Sequence, residues 1–221
     1  HGEQRVVRRL QGGHVGIWQP LQFGQFAHHV LFADQPLLHQ DGSEQAAVKA
    51  GLNYELVAIS TKGDQILDRS LSKIGSKGVF TEELEQMLRN GEIDIAQHSA
   101  KDLPSTLPED LQLIAFTERE KSHDVLLSLN PNFRLNTPET CQIGTSSTRR
   151  RAFLGHHFPS LKPVEMRGNL QTRLEKLKNG DCDAMILAYA GVYRMDMSAY
   201  ITEHLPLDQF IPAVGQGSVA I

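Results

Sequence analysis

The chain has 221 residues, 40% hydrophobic and 22% charged, with a net charge of −4, which fits two small globular domains better than one. An acidic molecule is excluded from gripping nucleic acid through a broad basic field, and no apolar run is long enough for a membrane helix. Two cysteines, Cys141 and Cys182, are too few for a disulfide framework and sit at no metal-ligand spacing, so a reducing cytoplasm is the expected compartment. His28-His29 and His156-His157 lack partners at ligand spacing, and no metal is expected.

In chain order, residues 1–46 carry Gly12-Gly13, Pro20 and Pro36, which interrupt every apolar run before a period of two or 3.6 emerges. Regular structure is expected from Ala47. Tyr54–Ile59 reads as a strand. Lys73 and Lys77 flank Gly75 and Ser76 in a glycine-rich stretch over 71–80, which reads either as a mobile loop presenting two ammonium groups or as a plain surface loop. Thr81 opens a helix with Glu82 and Glu83 in its first turn, where acidic groups complement the dipole. Leu84, Met87 and Leu88 form its apolar stripe, and Asn90-Gly91 ends it. Strands are expected at Ile93–Ala96 and Leu111–Phe116, with His98-Ser99-Ala100-Lys101-Asp102-Leu103-Pro104 between them.

Gly144-Thr145-Ser146-Ser147-Thr148-Arg149-Arg150-Arg151 places a glycine and four hydroxyl residues directly before an arginine run that opens a helix. Helix-start N–H groups, hydroxyls and guanidinium forks all hold anions. Arg167-Gly168-Asn169-Leu170-Gln171-Thr172-Arg173 repeats the device. Its helix, striped by Leu170, Leu174 and Leu177, ends at Asn179-Gly180 before the strand Ala184–Ala188 and a small-residue turn, Tyr189-Ala190-Gly191. Helix, Asn-Gly, acidic residue and strand thus occur twice. The pattern predicts an α/β protein of two similar lobes with mainly parallel sheets. Their boundaries would be residues 47–119 with 212–221 for the first and 120–211 for the second. Ligands of such sheets gather beyond the strands' carboxyl ends, so the cleft is expected between the lobes. The terminal Pro212-Ala213-Val214-Gly215-Gln216-Gly217-Ser218-Val219-Ala220-Ile221 is an apolar, strand-like run, and the sequence reads as cut short there.

Asp102 follows an expected buried strand, beside Lys101. On local grounds a structural cap or ion pair is the simpler reading. In a cleft lined by arginines, an ionised aspartate can stabilise a cationic intermediate while the arginines hold substrate carboxylates.

The Lys101-Asp102, Gly-Thr-Ser-Ser-Thr-Arg-Arg, Arg-Gly-Asn-Leu-Gln-Thr-Arg and Pro-Ala-Val-Gly-Gln-Gly motifs, in this order, resemble the porphobilinogen deaminase (hydroxymethylbilane synthase) family over Ala47 to Ile221. Lys73-Ile74-Gly75-Ser76-Lys77-Gly78 is similar to that family's lysine-bearing loop. The resemblance implies a cytoplasmic, monomeric transferase of porphyrin and heme biosynthesis. It would join four porphobilinogen molecules head to tail with loss of ammonia, on two lobes similar to periplasmic binding proteins. It implies that Asp102 is catalytic. Lys101, Thr145, Ser147, Arg149, Arg150, Arg167 and Arg173 would hold the carboxylates of a dipyrromethane cofactor and of substrate, with Lys73 and Lys77 on the substrate loop. The family attaches that cofactor to a cysteine of a third, α+β domain. Neither Cys141 nor Cys182 matches it, so that domain is expected to be absent here and the chain to be an incomplete form. Residues 1–46 lack the family's opening Arg-x-Ser element, with Gln11 and Gly13 in place of the arginine and serine. That segment is expected to be atypical, as an altered reading frame would make it. The alternative is a non-catalytic solute-binding module for a small polyanion, which explains two lobes and arginines but not the Lys101-Asp102 pair. A nucleic-acid-binding domain is weaker still, because no aromatic platform interleaves the basic residues.

Overall fold

Short, continuously apolar strands build the central sheet. In the computed structural model, residues 81–137 and 140–221 are described in full. Of the rest, the backbones of β1 (Gln4–Arg8), β2 (Val30–Ala33) and β3 (Glu55–Ile59) are described. The loop bearing Lys73 and Lys77 lies outside the described residues, as does most of segment 1–46.

β5 (Asp124–Leu127), β6 (Gln142–Gly144), β7 (Lys162–Val164), β8 (Ala184–Ala188) and β9 (Ile201–His204) form a five-stranded sheet in the order β7-β6-β8-β5-β9. β6 pairs in parallel with β7 and β8, whereas β5 runs antiparallel to β8 and β9. Successive strand residues face opposite sides. Val125, Leu127, Met185 and Leu187 therefore enter one core, and Leu126, Ala184 and Ile186 the other. Helix α3 (Leu170–Lys178) covers the first face with Leu174 and Leu177, and α2 (Thr148–His157) covers the second with Leu154. A sheet covered on both sides needs continuous apolar strands. All four residues of β5 are buried, including, against that rule, Asp124.

The remaining strands form two further sheets. β1 pairs antiparallel with β2 and with β3, in the order β2-β1-β3. The terminal β10 (Val219–Ala220) pairs antiparallel with β4 (His98–Ser99), which joins the chain's last residues to the segment bearing Lys101 and Asp102.

Helix α1 (Glu82–Arg89) forms where the sequence places it, with Asn90 as C-cap and Gly91 at φ 66°. The Thr81 hydroxyl donates to Glu85 Oε1 at 2.8 Å instead of accepting from the backbone. Helix α3 ends likewise, with Gly180 at φ 81°. Three expectations are corrected. Ile93–Ala96 is irregular, because Ile93, Ile95 and Ala96 pack onto the α1 stripe around Leu84. Leu111–Phe116 is not a strand. Its partner β10 is only two residues long and supports one bridge, Phe116 to Ala220. Tyr189-Ala190-Gly191 is not a turn but opens helix α4 (Tyr189–Arg194), whose Ala190 and Val192 are buried. Gly191 lets it approach α3, since a Cβ there would stand 3.2 Å from Leu170 Cδ1.

The terminal run is also mostly irregular and is strand only at Val219–Ala220. Before that it turns tightly, with Gly215 at φ 75° and Gly217 at φ 96°. A Cβ on Gly217 would collide with the Glu120 carbonyl oxygen, to which a flexible side chain offers no escape. Gly217→Ala is therefore expected to lower stability by about 2 kcal/mol or more, read as a lower urea midpoint. An unchanged midpoint would contradict the tight turn.

Candidate functional site

Two consecutive turns position the candidate site residues beyond the ends of β6 and β7. Leaving β6, Thr145 is buried, and its N–H donates to Val164 O at 2.9 Å. The Ser146 hydroxyl donates to Met166 O at 2.6 Å and accepts from Met166 N–H at 3.2 Å, tying the β6 turn to the β7 turn. Ser147 caps α2 by accepting from Arg150 N–H at 3.4 Å, and Asn169 caps α3 by accepting from Thr172 N–H at 2.7 Å. Between them Gly168 adopts φ 113°, a conformation that glycine reaches without strain. Both caps fall where the sequence signals them.

Arginine side chains then fan out from these helix starts. Arg150 lies one turn before Leu154 on the buried face of α2, and its Nη1 donates to Ile186 O at 3.0 Å. Its Nη2 donates to Asp124 Oδ1 at 2.7 Å, while Arg149 Nη2 donates to Asp124 Oδ2 at 2.9 Å. Arg149 Nη1 also reaches Ile211 O at 2.6 Å. Arg173 Nε donates to Gly168 O at 2.7 Å, which folds the guanidinium back over the turn. Arg167 is buried, and its carbonyl accepts from Lys176 Nζ at 3.0 Å. Arg151, the third of the run, points elsewhere, bonding Thr145 O and Glu165 Oε2.

Lys101 and Asp102 arrive from a short 3-10 turn, Ala100–Asp102, directly after β4. Gly215 underlies that turn, since a Cβ on it would lie 3.0 Å from the Ala100 carbonyl carbon and 3.1 Å from Lys101 N. Ala100 N–H donates to Ser218 O at 3.0 Å. The terminal segment thus supports the Lys101-Asp102 turn from beneath. Asp102 itself is exposed and Lys101 is half-buried.

Electrostatics show that these residues share one field. Burial pushes the Lys101 ammonium below its usual pKa. The Asp102 carboxylate opposes this, and the charges of Arg150 and Arg173 add to it. Burial likewise brings Arg173 down to about 10, followed by repulsion from Arg150 and Arg167 and against the pull of Asp102 and Glu165. Arg150 and Arg173 thus act on Lys101, and Arg150 and Arg167 on Arg173, bringing together three separate stretches of chain around Asp102. Cations gathered this closely form a cluster with excess positive charge, and an anion among them relieves it. One donor also has no acceptor. Arg150 Nε is buried and makes no hydrogen bond among the described residues.

The residues that sequence reasoning missed are Asp124 and Gln216. Asp124 is fully buried. Burial pushes its pKa up, but the charge and hydrogen bond of Arg150, then Arg149 and Gln216, outweigh this and hold it below the ordinary carboxylate value. Gln216 Nε2 donates to Asp124 Oδ1 at 2.9 Å and to Ser122 O at 2.6 Å. A charged residue opening the buried strand Val125-Leu126-Leu127 was the available signal for Asp124. Neither cysteine offers an attachment point among these groups. Both are buried, and burial pushes the Cys182 thiol up to about 11, far from a reactive thiolate.

Comparison with known proteins places this arrangement. Residues 38–221 match the family model described as porphobilinogen deaminase, dipyromethane cofactor binding domain. The porphobilinogen deaminase of Cytophaga hutchinsonii is 57% identical over 171 residues, covering 77% of this chain and 55% of that protein. Those of Desulfosudis oleivorans and Syntrophomonas wolfei are 49% and 52% identical, over 80% and 77% of this chain and 58% and 56% of theirs. The chain thus spans little more than half the length of the relatives it matches. Among solved structures, the periplasmic VFT2 domain of Bordetella pertussis BvgS aligns over 79% of this chain and 65% of that chain, at 16% identity and TM-score 0.43. With the family model matching residues 38–221 and relatives near half identical over more than three quarters of its length, the chain belongs to the porphobilinogen deaminase family.

Proposed function

We propose that this chain carries the carboxylate-holding and catalytic part of a hydroxymethylbilane synthase. This transferase of tetrapyrrole biosynthesis condenses four porphobilinogen molecules head to tail and releases ammonia. The observation that carries the reading is the cation cluster, in which Arg173 falls to about 10 and Arg150 Nε lacks an acceptor among the described residues. Porphobilinogen bears an acetate and a propionate, so each added unit brings two negative charges to such a cluster.

The same cluster fits the family's dipyrromethane cofactor, whose carboxylates would be held by Lys101, Thr145, Ser147, Arg149, Arg150, Arg167 and Arg173. When bound, that group supplies the pyrrole end to which new units are joined. Arginine forks grip carboxylates with geometric precision that lysine lacks, and each charge-assisted hydrogen bond contributes about 1.5–3 kcal/mol. Several such contacts hold a growing polyanion, so no single one is indispensable. Asp102 has a different task. Exposed at the end of its turn, it stabilises the positive charge that develops on substrate as the aminomethyl C–N bond breaks, a contribution made only in the transition state. Lys73 and Lys77 are assigned to the substrate loop by resemblance alone.

Two lobes would frame the site, residues 47–119 with 212–221 and residues 120–211. The pairing of β10 with β4 supports returning the terminal segment to the first lobe. No helix among the described residues is long and apolar enough to cross a membrane. We place the reaction in the cytoplasm, on a monomer acting on a small molecule and not on nucleic acid.

The test is ammonia release from porphobilinogen by the purified chain with dipyrromethane added in solution. Ammonia should appear in step with porphobilinogen consumption. Binding of porphobilinogen without any ammonia would instead favour the non-catalytic polyanion-binding module.

A further inference from the structure

We infer that Asp124 is a positioning residue for the anion site, fixing the guanidinium groups of Arg149 and Arg150 in the orientation that receives a ligand carboxylate. The inference deepens the functional reading above and rests on it.

Asp124 cannot touch a ligand, because it is fully buried at the start of β5. Its two oxygens serve different arginines. Oδ1 accepts from Arg150 Nη2 at 2.7 Å and from Gln216 Nε2 at 2.9 Å, and Oδ2 accepts from Arg149 Nη2 at 2.9 Å. Adjacent positions on a helix point about 100° apart, so Arg149 and Arg150 would diverge without a common acceptor. Ile186 O takes Arg150 Nη1 and Ile211 O takes Arg149 Nη1. With these outer donors fixed, Arg150 Nε remains without an acceptor among the described residues. Gln216 completes the clamp, because its Oε1 lies 3.5 Å from Arg149 Nη2 and its Nε2 is anchored on Ser122 O.

Charge and position predict opposite results when the carboxylate becomes an amide. Removing a buried negative charge from an anion site strengthens anion binding if charge alone matters. A carboxamide, however, has one acceptor oxygen, and its NH2 faces the donor it replaced an acceptor for. One arginine must then leave the fork, and its ligand contact is lost.

The test is isothermal titration of porphobilinogen into the wild-type chain and into Asp124→Asn, with circular dichroism confirming the fold. We expect Asp124→Asn to bind about tenfold more weakly, the loss of one charge-assisted hydrogen bond. Affinity equal to or tighter than wild type in a folded variant overturns the proposal. Should Asp124→Asn fail to fold, Gln216→Met decides. It removes the Gln216 hydrogen bonds to Asp124 and Arg149 without introducing a charge, and an affinity at least about threefold weaker is expected. Unchanged affinity in Gln216→Met overturns the clamp. A wild-type chain that does not bind porphobilinogen defeats the functional reading itself, and the proposal with it. That failure is distinct from tight binding by both proteins.

Discussion

Asp124→Ala is expected to lower the free energy of unfolding by about 3–5 kcal/mol, the cost of removing one partner of a buried ion pair. The wild-type carboxylate is completely buried and accepts from Arg150, Arg149 and Gln216. Alanine leaves a cavity and, more seriously, a buried Arg150 without its counter-charge. Arg149 is half-buried and can turn towards water, so most of the loss is assigned to Arg150. Urea unfolding followed by circular dichroism measures it. A loss below about 1 kcal/mol would place the pair among ordinary surface ion pairs and contradict the burial described above. The same group sets an acid dependence. Its pKa in the folded protein lies below the ordinary carboxylate value of 3.8. Its stabilisation is therefore complete above the unfolded pKa and lost as pH falls through the lower, folded value. Wild type should lose stability in that acid window by a component that Asp124→Ala does not show.

Asp102→Asn is expected to reduce ammonia release by about a hundredfold, the scale of removing one preorganised charge from a transition state. Porphobilinogen affinity should change less than about threefold, because the arginines holding the carboxylates remain. The fold should be intact as well, since an exposed side chain at the end of a 3-10 turn contributes little to stability. A variant keeping more than about a tenth of the wild-type rate would remove Asp102 from the catalytic role. The neighbouring lysine makes a useful contrast. Lys101 is half-buried and its pKa is lowered chiefly by burial, so its loss should weaken binding of the anion more than it slows the chemistry.

Local chemistry decides which parts of this structure the sequence reveals. Asn90-Gly91 and Asn179-Gly180 close their helices as read, and Ser147 and Asn169 cap theirs at the expected starts, because caps depend on residues three or four positions away. The motif arginines are legible as helix-start residues for the same reason. The two expected strands at Ile93–Ala96 and Leu111–Phe116 fail because strand pairing depends on a distant partner. One segment packs on a helix stripe, and the other meets a strand of only two residues. Asp124 was legible only as a charge opening an apolar run, and its role was hidden on the same ground. Its partners lie 25, 26 and 92 positions away, so nothing local says which groups it holds. Gln216 stood inside a recognised motif, yet its use as a clamp on Asp124 appears only when the terminal segment folds back.

Arg150→Gln decides whether the arginine cluster holds substrate carboxylates. Glutamine keeps much of the stem and a hydrogen-bonding tip but removes the charge and the orphaned Nε donor. Titration of porphobilinogen into wild type and Arg150→Gln, both shown to be folded, should give binding to wild type and at least about tenfold weaker binding to the variant. Equal affinity for the two proteins would contradict this, because Arg150, whose buried Nε has no acceptor among the described residues, would then have no part in holding the ligand.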